Sequence, residues 1–170
     1  MDLNISKMRN HPLNRDGETI TVQAEEGDLV GLTENADGET EMVSADADSA
    51  SPQPAIGVLL ETTQDPSNIT VSGYEDDYIE QRQLRREVRE RDGYTLVGDE
   101  ATYVLGGIYV SDVDETLDLT PNEPVYLDVG GGVTQTKPDG STGNVIQYLG
   151  VAVDATTFYL DVDHEYETAA

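Results

Sequence analysis

The chain has 170 residues, with 35 Asp and Glu against 9 Lys and Arg, a formal net charge of -26, no Cys, no Trp and a single Phe. Such a balance repels nucleic-acid phosphates and anionic lipid, so no nucleic acid and no membrane is expected among its partners. The lack of Cys excludes disulfides, thiolate metal sites and cysteine nucleophiles, while Leu, Ile, Val and Phe lie just above the roughly 20% floor for a folding chain, which allows a modest core.

Residues 1–17 are polar and slightly basic, with Lys7, Arg9 and Arg15, and lack periodicity, which reads as a flexible N-terminal arm. The opening "MDLNISKMRNHPLN" has no apolar stretch of signal-peptide length, and no run of about 18 apolar residues follows, so a soluble product is expected. From "ETITVQA" onward the chain changes to short β-branched runs punctuated by Gly, Pro, Asn and Asp. They are "DLVGL" (28–32), "ETEMV" (39–43), "AIGVLLE" (55–61) and "NITVS" (68–72). The same style resumes in "TYVLGGIYV" (102–110), "PVYLDV" (124–129), "GVTQT" (132–136), "NVIQYLGVAV" (144–153) and "TFYLDV" (157–162). Short strands at this spacing, with turn residues between them, predict an all-β barrel or sandwich, a single domain over 18–170.

Two stretches share one plan of strand, Gly-bearing turn, strand, polar loop and a strand carrying apolar-Gly-Val. Val30 and Leu32 align with Val125 and Leu127, and Gly57 with Gly150, which predicts a duplicated strand-hairpin-strand motif. One segment breaks the pattern. "YEDDYIEQRQLRREVRER" (74–91) lacks Gly and Pro and is rich in helix formers, predicting an inserted helix over about 74–92. On a helix Arg82, Arg85, Arg86 and Arg89 share one face by the i, i+3, i+4, i+7 rule, with Leu84 and Val88 opposite. Lys137 alone among the basic residues falls outside the arm and this segment. Glu87 and Arg91 form a favourable i, i+4 pair, so part of the stripe neutralises local acids; the rest suits carboxylates on another subunit or an acidic partner. The acids are spread along the chain rather than gathered in a tail. Together with only two lysines, that is the mark of a protein built for near-saturated salt, where charge repulsion is screened.

Catalytic and metal chemistry is thin. His11 lies in the arm, and His164 sits in "DVDHEYE", where strand alternation would point Asp161 and Asp163 one way and His164 the other. "DVDETLD" (112–118) resembles the start of a calcium loop but lacks its third ligand position and turn Gly. "GGG" (130–132) sits between strands as a hairpin turn rather than before a helix, so it is no phosphate cradle. No Ser stands in a G-x-S-x-G context. "GDLVGL" with its hairpin is similar to the lipoyl or biotinyl carrier fold, but the tip at 35–38 has no Lys to modify. No enzyme activity, cofactor or metal site is expected.

"LTPNEPVYLDVGGGVTQTKPDGSTGNVIQYLGVAVDATTFYLDVD" resembles the C-terminal part of the capsid decoration, or cement, proteins of tailed viruses. There a "GDPVYL" strand, a "G-x-V-T" hairpin, a polar loop, "VGVAL" and a closing apolar strand follow in this order. "AEEGDLVGLTENADGETEMVSADADSASPQPAIGVLLET" resembles the family's earlier "pGdlV" and "AvGV" strands, so the likeness covers roughly 17–72 and 98–163. Glu123 stands where the family often has Gly-Asp, and the arginine-rich segment is an insertion relative to it. The resemblance implies a β-barrel or β-tulip without catalytic residues. It implies a virion protein made in the host cytoplasm that binds the major capsid protein on the capsid exterior and self-associates, commonly as a homotrimer. With the composition, the virus would infect a halophilic archaeon. On this reading Lys7, Arg9, Arg15, Arg82, Arg85, Arg86 and Arg89 are the capsid or subunit contacts. The rivals are a tail or baseplate subunit and a haloarchaeal ligand-binding β module; the latter would need an aromatic platform, for which nine tyrosines are available but scattered in sequence.

Overall fold

The computed structural model describes residues 3–7, 15–48, 50, 52–64, 93–112, 116–138 and 144–168. In chain order the first strands are β1 (Leu3–Lys7), β2 (Arg15–Ile20), β3 (Leu29–Glu34), β4 (Thr40–Ser44), β5 (Gly57–Leu59), β6 (Thr63–Gln64) and β7 (Thr95–Leu96). There follow β8 (Glu100–Val104), β9 (Gly106–Asp112), β10 (Pro124–Leu127), β11 (Val133–Thr134), β12 (Val145–Ile146), β13 (Tyr148–Ala152), β14 (Thr157–Asp161) and β15 (Glu167–Thr168). No helix occurs among the described residues, and the helix expected over 74–92 lies outside them.

β2, β4, β3, β5 and β8 close into a five-stranded barrel, with β2 and β4 parallel and the other neighbours antiparallel. Closure removes the sheet edges that would otherwise offer unpaired backbone groups. The second unit is a six-stranded sheet in the order β1-β9-β14-β13-β10-β11. Two short pairs complete the set, β6 with β7 and β12 with β15. Residues 3–7 and 15–17, read from sequence as part of an arm, lie in strands β1 and β2.

Side-chain alternation explains why the barrel strands read as unbroken apolar runs. In β3, Val30 points into the barrel core with Ile20, Met42, Leu59 and Tyr103, while Leu29 points outward into a second core. Val58 and Leu59 divide in the same way, as do Val104 and Tyr103. The outward set joins Ile108, Val110, Val125, Leu127, Leu149, Phe158 and Leu160, so one apolar layer glues the barrel wall to the inner face of the six-stranded sheet. These sheet residues are almost fully excluded from solvent.

Two expected strands divide. "TYVLGGIYV" is broken at Leu105, where the chain leaves the barrel and enters the sheet, and Gly107 takes φ +84° at the entry, a conformation costly for a residue with a side chain. "NVIQYLGVAV" is broken at Gln147, which separates β12 from β13. Val30 faces Gly57 across β3 and β5, and Val125 faces Gly150 across β10 and β13. A Cβ on Gly57 would fall on the Val104 carbonyl, and one on Gly150, at φ +155°, on the Tyr159 carbonyl.

Candidate functional site

Three places bring polar or aromatic side chains together. The first is the seam between barrel and sheet. The loop after β4 approaches the turn after β10, where the Ala47 N–H donates to the Asp128 carbonyl (3.3 Å) and the Val145 N–H to the Ala47 carbonyl (3.0 Å). Asp46 Oδ1 accepts from the Gly130 N–H and from the Asp48 N–H, both at 2.8 Å. Deeper in the seam Gln147, 1% exposed, acts as a clamp. Its Oε1 accepts from the Ala55 N–H (2.7 Å), and its Nε2 donates to the carbonyls of Ala55 (2.7 Å) and Asp163 (2.8 Å). A buried amide satisfied in this way is stabilising and orients both partners.

A cleft of about 550 Å³ opens beside the seam, lined in part by Asp28, Ala45, Asp46, Gln53, Gly130 and Gly131. Three of its polar side chains serve the backbone. Asp28 Oδ2 accepts from the Glu25 N–H (2.8 Å), Gln53 Nε2 donates to the Leu32 carbonyl (2.8 Å), and Asp46 is engaged as above. These three side chains thus hold the backbone around the cleft.

The third place is the outer face of the six-stranded sheet. Tyr109 and Tyr159 are direct cross-strand partners, with ring centroids 5.3 Å apart at 65°. Tyr126 and Tyr148 are likewise opposite one another, 6.3 Å apart at 78°. Val151 faces both Tyr159 and Pro124, and Pro124 lies two residues before Tyr126, so alternation puts all four tyrosines on one side. That side points away from the barrel. Each tyrosine sits between two buried neighbours: Ile108 and Val110, Val125 and Leu127, Gln147 and Leu149, Phe158 and Leu160. Edge-to-face pairing of this kind adds about 0.5–1.5 kcal/mol beyond burial. Tyr159 is 37% exposed. Burial first, then the Asp161 carboxylate and Tyr126, push the Tyr148 hydroxyl above its ordinary value of 10.0, which keeps it a neutral donor. Ser111 and Thr157 add a hydroxyl pair at 3.0 Å on the next row.

The residues expected as contacts are not gathered by the described structure. Lys7 lies in β1 opposite Tyr109, and Arg15 lies in β2 opposite Val104, on different sheets. Arg9, Arg82, Arg85, Arg86 and Arg89 lie outside the described residues. Among the described residues no group of three or more His, Asp or Glu is arranged to hold a metal. His164, Asp161 and Asp163 are exposed, and Asp163 Oδ1 accepts from the Glu165 N–H (2.9 Å). Asp112, buried at the end of β9, accepts from the Thr116 N–H and hydroxyl and from the Leu117 N–H at 2.7–2.8 Å, so its carboxylate holds residues 116 and 117 against the end of the strand. No described helix is long and apolar enough to cross a membrane.

The described residues therefore define an all-β protein built on a closed five-stranded barrel with a six-stranded sheet packed against its wall. No family model matches the chain, and no curated protein matches it in sequence.

Proposed function

We propose that this chain is a structural, shell-binding protein that decorates the outside of an assembled viral capsid and stabilises it, acting as a self-associating homotrimer on the major capsid protein. The observation that supports it most is where the resemblance to decoration proteins falls in space. "PVYLDVGGGVTQT" and "YLGVAV" form the contiguous set β11-β10-β13, and the earlier stretch forms β4-β3-β5. In both, a Val faces a Gly of the third strand, and a Cβ on that Gly would collide with the carbonyl of the next strand, β8 or β14. We read this as a duplicated strand-hairpin-strand motif. The acidic body, carrying Lys137 as its only described Lys or Arg beyond β1 and β2, leaves the arginines of 82–91 as the natural anchors on acidic neighbours. The acid-rich, lysine-poor composition supports a host among halophilic archaea.

The test is rebinding to particles stripped of this protein, read by co-sedimentation. Wild-type chain should rebind, while replacing Arg82, Arg85, Arg86 and Arg89 by Gln should leave the fold intact and reduce occupancy. Undiminished occupancy would remove the arginines' contact role, and binding confined to tails would favour a tail or baseplate subunit. A second reading, a ligand-binding β module, draws support from one specific observation, the four-tyrosine face. Retention on an immobilised polysaccharide, lost on replacing Tyr148 and Tyr159, would favour it.

A further inference from the structure

The tyrosine face is the widest aromatic surface among the described residues, and the chain itself carries a complementary group. We propose that this face, centred on Tyr109, Tyr126, Tyr148 and Tyr159 with Asp161 beside them, receives the arginine-rich segment 82–91 of a second copy of the chain. The proposal deepens the decoration reading and rests only on its claim that these arginines are contacts.

Guanidinium groups are suited to such a face. They stack on aromatic rings, are weakly hydrated, and can hold a carboxylate at the same time. The face offers ring surface from four tyrosines, their hydroxyls as acceptors and the exposed carboxylate of Asp161. Lys7 of the edge strand β1 stands opposite Tyr109 at one border of the face, while Lys137 lies in the loop after β11. An isolated exposed carboxylate elsewhere on the body would provide only a surface ion pair, which contributes little and is weakened by salt. Stacking on a half-buried aromatic surface resists salt far better.

The topology favours a second copy over the same chain. The described residues that flank the segment are Gln64 in β6 and Gly93 just before β7. Both stems are fixed to the barrel: the Thr63 N–H donates to the Ala24 carbonyl (2.7 Å), the Thr63 hydroxyl accepts from the Ala24 N–H (2.8 Å), and the Thr95 N–H donates to the Thr62 carbonyl (3.0 Å). The tyrosine face lies on the far side of the sheet, with the barrel packed on the near side. A contact from one copy's segment to another's sheet joins two different surfaces, and such head-to-tail contacts give a ring, as a trimer requires, where the rotation closes.

Two variants of the full chain test this by complementation, with oligomeric state read by analytical ultracentrifugation. One carries Arg82→Gln, Arg85→Gln, Arg86→Gln and Arg89→Gln; the other carries Tyr148→Thr and Tyr159→Thr, exposed-face replacements that keep β-forming residues. Circular dichroism confirms that each retains its strand signal. Wild-type protein should be oligomeric and each variant alone monomeric. Mixing the two variants should give a heterodimer, because one intact segment and one intact face remain. A monomeric wild type, an oligomer that survives either set of substitutions, or a mixture that stays monomeric would each overturn the proposal. Tyrosine substitutions that abolish polysaccharide retention while leaving the oligomer intact would assign the face to a glycan instead. Particle rebinding is measured separately, so loss of the decoration reading and loss of this interface are distinguishable.

Discussion

Replacing Gln147 by Leu keeps volume and removes the amide that ties the barrel to the sheet. The wild-type side chain makes three hydrogen bonds, two to Ala55 and one to Asp163. Asp163 is exposed and its carbonyl can turn to water, but Ala55 is 3% exposed, so its N–H and carbonyl would be stranded. Each stranded group costs about 1–3 kcal/mol, which gives a loss of roughly 2–6 kcal/mol. That is a large share of the roughly 5–15 kcal/mol typical of a domain. Gln147→Glu separates hydrogen bonding from packing. At neutral pH its carboxylate would face two carbonyl oxygens, so the charged form is disfavoured in the folded state and the folded pKa rises above the unfolded value of about 4.3. A group raised in this way contributes stability below the unfolded pKa and loses it as pH rises through the folded one, so the deficit against wild type should shrink on acidification. Urea unfolding followed by circular dichroism at neutral and mildly acidic pH measures both variants. A Gln147→Leu protein within about 0.5 kcal/mol of wild type, or a Gln147→Glu deficit independent of pH, would refute the clamp.

Gly150→Ala should destabilise by at least the roughly 1–3 kcal/mol of an overpacked site, because the new Cβ meets the Tyr159 backbone, which cannot rotate away; the urea midpoint reads it. In the turn between β13 and β14, the Thr156 N–H, helped by the Thr157 hydroxyl and N–H and the Thr156 hydroxyl, holds the Asp154 carboxyl below the ordinary value of 3.8 against the opposing effect of burial. Its contribution to stability is therefore present above that value and lost as pH falls through the folded pKa; a carbon-detected NMR titration should place Asp154 below 3.8, and Thr156→Ala, which keeps the N–H donor that is the largest cause, should retain most of the shift. Tyr148 should titrate above 10.0, and Asp161→Asn should lower it, as read by ultraviolet titration against the Tyr148→Phe control. An unchanged alkaline phase in the Asp161→Asn protein would contradict the placement of that carboxylate.

The turns and alternating runs were legible from residues alone because they depend on local chemistry. "DLVGL", "ETEMV", "PVYLDV" and "TFYLDV" each contain a strand where expected. The partition of those strands between barrel and sheet was not legible. It turns on Leu105, where an apparently continuous run changes sheet, and on β2 lying beside β4 in parallel, a pairing distant in sequence. Gln147 is one polar residue inside a run expected as a single strand, and its partners come from Ala55 and Asp163, which no local pattern connects. The tyrosines looked scattered because they are separated along the chain. Their signal was present, though: in "IYV", "VYL", "QYL" and "FYL" a Tyr stands between two residues that face inward, which marks the outer face of four neighbouring strands. The basic residues were legible as a clustered set, and most of them lie outside the described residues.

The decoration reading is tested most directly by quantitative mass spectrometry of purified virus particles that carry this chain. It predicts a copy number comparable with that of the major capsid protein, falling in particles assembled with the Arg82, Arg85, Arg86 and Arg89 to Gln variant. A few copies per particle, or none, would contradict it.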